Sequence, residues 1–268
     1  FRRVLFRSRS TSIMKLTKIS NKDNKLVFSV ENTTPAFVNT LRRTIIDEVP
    51  TMAIEDVEFR QNSSALYDEM IALRLGLLVL STDLDSYQIP TEEEKDTART
   101  VLGLTLSVKG PKMVYASDLK SKDPKVKPVF LQTPIVQLLE GQELELDAKA
   151  LLGKGKHHTK WSPAHAYYRH DANITINNSS EFFQDFKGEY PQDIFKDGKI
   201  DKSFINSDKL IDAVDGVNED IIKVEKIPDK FVFTVESWGQ LSPEDVVLKA
   251  IEHIKYVSDD FAKSVKSL

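Results

Sequence analysis

The sequence predicts an α+β fold, and three observations lead there. Each end of the chain carries strand signals beside a strongly amphipathic helix, and the region between is rich in short alternating strands. No apolar run reaches the roughly 18–20 residues of a membrane span. Near the start, residues 16–20 and 25–30 read as strands around the turn-forming Asn21-Lys22-Asp23-Asn24. Thr34 is then a good N-cap, and Pro35 has the preset φ that a first helical position favours. Phe37, Val38, Leu41 and Ile45 recur at helical spacing to make one apolar stripe over residues 35–49. Arg42 and Arg43 lie beside that stripe, which suits a helix packed on another chain with guanidinium forks at its rim. An ordinary core helix with solvated arginines has the same periodicity. Pro50 stops the helix, and Met52, Ile54 and Val57 begin an extended run.

In the middle of the chain, a short helix is predicted near residues 65–75 and strands at 101–108, 113–115, 144–146 and 167–168. Residues 90–96 read as a solvated acidic loop. Towards the end, residues 231–236 alternate as a strand, and Ser242-Pro243-Glu244-Asp245 opens a helix with a cap, a first-position proline and an acid at the third position. Val246, Val247, Ala250, Ile251, Ile254, Val257, Phe261 and Val265 form its stripe. At 1.5 Å per residue such a helix runs roughly 35–40 Å, hard to bury within a small domain, and a partner helix is its natural cover.

Composition narrows the function. Hydrophobic residues at 40% and charged residues at 29% of 268 are enough to fill one large or two modest cores. The absence of cysteine excludes disulfides, thiolate zinc sites and cysteine-ligated iron–sulfur clusters, and fits a reducing cytoplasm. Residues 1–13 hold four arginines and no acid, so the remainder is more acidic than the −4 of the whole. Such a body is poorly suited to tracking a phosphate backbone, so contact with DNA is expected only indirectly. The segment 1–13 is expected to be a non-native tail preceding a start at Met14.

Chemistry is sparse. His157, His158, His165 and His170 fall close together, and with Asp171 they could supply metal ligands for a hydrolase. No tight ligand motif accompanies them, and a structural or surface role is the expected one. Trp161 reads as an anchor beside Lys154, Lys156 and Lys160, a cluster able to meet an acidic partner, and Lys156, Lys160 and Trp161 are candidate contacts. There is no phosphate loop, dinucleotide fingerprint, serine elbow or cysteine nucleophile, and Asp83-Leu84-Asp85 reads as a turn. No catalytic, cofactor-binding or metal residue is therefore assigned. A stand-alone nucleic-acid-binding protein is the remaining alternative.

Several stretches, in order, carry a resemblance. Asn39-Thr-Leu-Arg-Arg-Thr-Ile45 followed by Val49-Pro-Thr-Met-Ala-Ile54, Leu73-Arg-Leu-Gly-Leu-Leu78, Gly110-Pro-Lys-Met-Val-Tyr-Ala-Ser-Asp118, the run from Pro134 through Gly155 to Lys160-Trp-Ser-Pro163, and Phe231-Val-Phe-Thr-Val-Glu-Ser237 together resemble the alpha-like family of multisubunit RNA polymerases, nearest its archaeal D-type members. Leu73 stands where relatives often have histidine. The resemblance implies a discontinuous dimerisation domain of residues 14–50 and 225–268. It also implies an inserted strand-rich domain at 51–170 and a degenerate ferredoxin-like insert at 171–224. Tyr190-Pro-Gln-Asp-Ile-Phe195 resembles a worn version of a cysteine pattern that ligates iron–sulfur clusters in relatives. With no thiolate the cofactor expectation is none, and the insert is expected to keep an apolar core of Phe182, Phe183, Phe186, Ile194 and Phe195.

The function so implied is a non-catalytic assembly subunit of a nucleotidyltransferase complex, DNA-dependent RNA polymerase. It would pair with the small alpha-like L-type partner and form a platform for the large subunits and the small N-type and P-type subunits. Phe37, Val38, Leu41, Ile45, Val247, Ile251, Ile254 and Phe261 are the expected partner core, with Arg42 and Arg43 at its rim or against large subunits.

Overall fold

The turn at Asp23 and Asn24 shows why the chain begins as it does. Both residues take positive φ, 50° and 62°, the pairing that a two-residue hairpin needs, and it joins β1 (Lys15–Lys22) to β2 (Lys25–Glu31). The computed structural model describes residues 13–94, 96–205 and 210–267, so the tail expected over residues 1–13 lies, except for Ile13, outside the described residues. Helix α1 (Pro35–Asp47) and strand β3 (Pro50–Asn62) start at the two prolines that bracket them in the sequence.

The chain then continues through α2 (Asp68–Gly76), β4 (Val101–Lys109), β5 (Lys112–Tyr115), β6 (Lys120–Ser121), β7 (Pro134–Leu138), β8 (Glu143–Lys154) and β9 (Ala164–Ile176). After these come α3 (Phe183–Phe186), β10 (Phe195–Lys196), β11 (Lys199–Ile200), α4 (Lys202–Ile205), α5 (Ile211–Val214), β12 (Ile222–Ser237) and α6 (Pro243–Lys266). The fold is thus mixed α and β, and the strand pairs of its inner sheets are antiparallel. The first two strands and the last two long ones form a sheet of order β1-β2-β12-β9.

Two compact units divide the chain. The larger comprises residues 18–28, 36–167 and 233–268. Its centre is the sheet β3-β8-β4-β6, with β5 and β7 paired separately. Strict alternation decides its faces: Leu102, Leu104 and Leu106 of β4 and Leu144, Leu146, Ala148, Ala150 and Leu152 of β8 all point into one core. Met52 and Ile54 of β3, Ile71 and Leu75 of α2, and Ile135 and Leu138 of β7 close it. Strand β8 is far longer than the 144–146 expected, because its charged residues from Glu143 to Lys149 occupy the outer alternate positions and leave the inner ones apolar through Leu152.

The smaller unit comprises, among the described residues, 13–17, 29–35, 168–205 and 210–232. Between β9 and β12 the chain makes its own core from Ile174, Phe183, Tyr190, Ile194, Ile200, Ile205, Ile211, Val214, Ile221 and Ile222. Phe186 and Phe195 pack on its edge. Phe182, expected in that core, is 45% exposed, since it precedes the single turn of α3 whose inner face Phe183 takes. Tyr190 is buried, and its hydroxyl donates to Asn218 O at 3.3 Å. Among the described residues no helix is long and apolar enough to cross a membrane.

Candidate dimerisation surface

Helix α1 spends most of its stripe on its own chain. Val38, Leu41 and Ile45 are 1%, 4% and 0% exposed, so the side chains expected to form a partner core are already covered within this protein. Periodicity identified the apolar face, but it carries no record of which chain covers it. What α1 turns outward is polar: Arg42 is half-buried, its Nε donating to Asn39 Oδ1 at 3.2 Å, and Arg43 is exposed, 4.0 Å from Asp47. Phe37 is half-buried.

Helix α6 behaves differently along its length. Its start is built as the sequence implies: Ser242 Oγ accepts from Asp245 N at 3.1 Å and donates to Asp245 Oδ2 at 2.6 Å, with Pro243 at the first position. Acids occupy its first turn and Lys263 and Lys266 its last, both favourable to the helix dipole. Pro243, Val246 and Ala250 are buried in the body. Every residue from Lys255 to Ser267 is exposed. Val247, Ile251, Ile254, Ser258, Phe261 and Val265 follow one another at steps of four and three, which sets them on one seam along the helix. On it Val247 and Ile254 are half-buried, whereas Ile251, Phe261 and Val265 stand 40%, 71% and 50% exposed. An apolar seam of this length whose far half no described residue of its own chain covers is the surface that most needs a cover.

Where α6 meets the body, four charged or titratable groups converge. The Glu48 carboxylate, just past α1, accepts from Lys154 Nζ at 2.9 Å and Lys156 Nζ at 3.1 Å, and His253 Nε2 of α6 lies 3.5 Å away. Burial pushes Glu48 up, but the hydrogen bonds from the two lysines outweigh it and hold the carboxylate below its ordinary range. His253 is held below its ordinary value by burial, and the two lysines add to that against the pull of Glu48. Lys156 N also donates to Asp47 O at 3.0 Å, closing the end of α1. Sequence reasoning did not find this junction. Its one signal is the spacing of cations around Gly155.

The Trp161 region is internal. Its indole lies on Gly153, its Nε1 donates to Leu151 O at 3.3 Å, and Thr51 Oγ1 donates to Trp161 O at 2.7 Å. Lys160 Nζ sits 4.4 Å from the ring centroid and bonds to Ile54 O and Glu55. Trp161 and Lys160 therefore have partners within the chain, and Lys156 is engaged by Glu48. The histidines serve locally. His158 Nδ1 accepts from Lys160 N at 3.0 Å, His165 packs on Tyr167, and His170 Nδ1 lies 3.2 Å from Ile227 O. Among the described residues no group of three or more His, Asp or Glu is placed to hold a metal ion.

The family described as RNA polymerase Rpb3/Rpb11 dimerisation domain matches residues 27–256, which include α1 and the body-packed half of α6. The chain belongs to this family. Relatives in the Rpb3/Rpb11 family agree over nearly the whole length. DNA-directed RNA polymerase subunit Rpo3 of Pyrococcus furiosus is 36% identical over 259 residues, covering 93% of this chain and 96% of the relative. The Rpo3 subunit of Thermococcus kodakarensis is 36% identical over 254 residues, covering 93% and 97%. That of Methanobrevibacter smithii is 31% identical over 272 residues, again covering 93% and 97%.

Proposed function

We propose that this chain is a non-catalytic assembly subunit of a DNA-dependent RNA polymerase. It pairs with a small alpha-like subunit, the counterpart of the archaeal L-type partner, and the pair forms a platform for the large subunits and the small N-type and P-type subunits. The observation that carries this reading is the α6 seam, left open beyond Ile254 on a chain of a dimerisation family. The partner surface is Val247, Ile251, Ile254 and Phe261 of α6 with Phe37, Arg42 and Arg43 of α1 at its side, while Val38, Leu41 and Ile45 support α1 from beneath. Lys156, exposed beside the same junction, is a further contact. Residues 14–50 and 225–268 make the dimerisation domain, with 51–170 inserted. The separate core of 174–222 supports an insert at 171–224 that stands on apolar packing without a cluster. The subunit works in the cytoplasm and meets DNA through the complex.

Co-purification tests it. The full chain, tagged and co-expressed with its cognate small alpha-like subunit, should retain that subunit through high-salt washing, because a seam of apolar side chains is insensitive to screening. Phe261→Asp should release it while leaving the chain folded, as Phe261 touches no core of its own. Retention by Phe261→Asp at the unaltered level would remove α6 from the interface.

A further inference from the structure

Helix α2 is apolar on both of its faces. Ile71 and Leu75 are fully buried in the core of the larger unit, whereas Met70, Leu73 and Leu77, the last at the C-cap, stand 45%, 57% and 55% exposed. A helix that is apolar all round is the kind that is covered all round, and no described residue of this chain covers the outer face. A neighbouring segment extends the patch. Val129 N donates to Val79 O and Ser81 N to Lys127 O, both at 2.9 Å, so residues 127–129 run antiparallel to 79–81. Alternation buries Leu78, Leu80, Val126 and Pro128 and leaves Leu77, Lys127 and Leu131 outside. Leu131, half exposed, thus continues the apolar face of α2, and the exposed Lys125 and Lys127 close it at that end.

This face lies at the root of α6 and not along its free half. Gly239, in the turn before α6, is so close to Val129 that a Cβ would sit 2.7 Å from Val129 Cγ1, and Thr82 N donates to Gln240 O at 2.9 Å. From Pro243 to Phe261 the helix runs about 27 Å at 1.5 Å per residue, so the two apolar surfaces are separate. We propose that the outer face of α2, with Leu131, is a second docking surface, and that its occupant is a segment of a large polymerase subunit. The inference rests on the reading of this chain as an assembly subunit. Chemistry sets what fits: an apolar stripe that covers Met70, Leu73, Leu77 and Leu131, with carboxylates at one end to meet Lys125 and Lys127. Lys125 is held in place for this by Asp83 at 2.9 Å. An apolar centre with charge at the rim is the make-up of an obligate interface, whose area of about 2,000 Å² or more calls for an extensive partner.

The test is assembly in co-expression. The full chain, tagged, is produced with its cognate small alpha-like subunit and both cognate large subunits, and each is quantified per tagged chain after purification. The unaltered chain should retain all three. Leu73→Gln with Leu77→Gln, which removes two exposed apolar side chains and no charge, should keep the small subunit and lower the retained large subunits at least about tenfold. Lys127→Glu should lower them at about 0.1 M salt and much less at about 0.5 M, since screening weakens a charge contact but not an apolar one. Undiminished large subunits on the double variant overturn the α2 surface and leave the pairing reading standing. Loss of the small subunit as well, from a folded double variant, would make this face part of the pairing interface and overturn the proposed occupant. A dimer of the lone chain that the double variant disperses would give the face to a second copy, and overturn it too. If thermal melts show the double variant unfolded, Lys127→Glu decides alone. An unaltered chain that retains neither large subunit overturns the platform reading, and this surface with it.

Discussion

Gly155 has no room for a side chain: a Cβ there would lie 1.9 Å from Ile46 O, which is backbone and cannot step aside. Gly155→Ala is expected to cost about 1–3 kcal/mol, read as a lowered denaturant midpoint. Gly153 is confined too, since a Cβ there would lie 2.3 Å from the Trp161 indole, so Gly153→Ala should lower the midpoint and shift tryptophan emission to the red as the ring is displaced. Asp83 offers a pH test. Hydrogen bonds from Lys125 and Ser86 hold its carboxylate well below the ordinary range, so its contribution is full above the unfolded pKa of about 4 and is lost as pH falls through the lower folded value. Asp83→Asn should therefore melt below the unaltered chain at pH 7, with the gap closing as the solution is acidified below pH 4. At this scale the sequence was least legible. That Leu41 is buried in its own chain means Leu41→Asp would unfold α1 before it could report on pairing.

Among the elements, α1 and α6 were legible because proline and a capping serine mark their starts, and a stripe at helical spacing runs between cap and stop. What periodicity could not say is which stripe faces home. The answer needed the body's own core, which claims most of α1's face but only Pro243, Val246 and Ala250 of α6. Strand β8 had its full signal in Leu144, Leu146, Ala148, Ala150 and Leu152, and reading only its leucine-rich start shortened it. Strand β12 was hidden from Ile222 onward by charged residues and Pro228, which argue locally against a central strand. An element-level prediction follows from the exposure of α6. A chain ending at Ile254 should unfold within about 0.5 kcal/mol of the full chain, since the removed side chains bury nothing, yet should no longer pair. A large loss of stability on truncation would mean the far half of α6 supports the chain's own fold.

For the whole molecule, the division into 51–170 and 171–224 came from the family resemblance rather than from composition, and the chain builds separate cores over residues 52–152 and 174–222. The second core also shows what Tyr190 does in this chain. It is buried among Ile194, Ile221 and their neighbours, with its hydroxyl satisfied by Asn218 O. Tyr190→Phe should accordingly cost only about 1 kcal/mol, the worth of one hydrogen bond, and leave the unit folded. The proposed pairing is tested most directly by the mass of the co-expressed species. Purified with its cognate small alpha-like subunit and measured by light scattering after size exclusion, the chain should elute as one species with the summed mass of one copy of each. A monodisperse monomer of 30.4 kDa, with the small subunit eluting apart from it, would contradict the account.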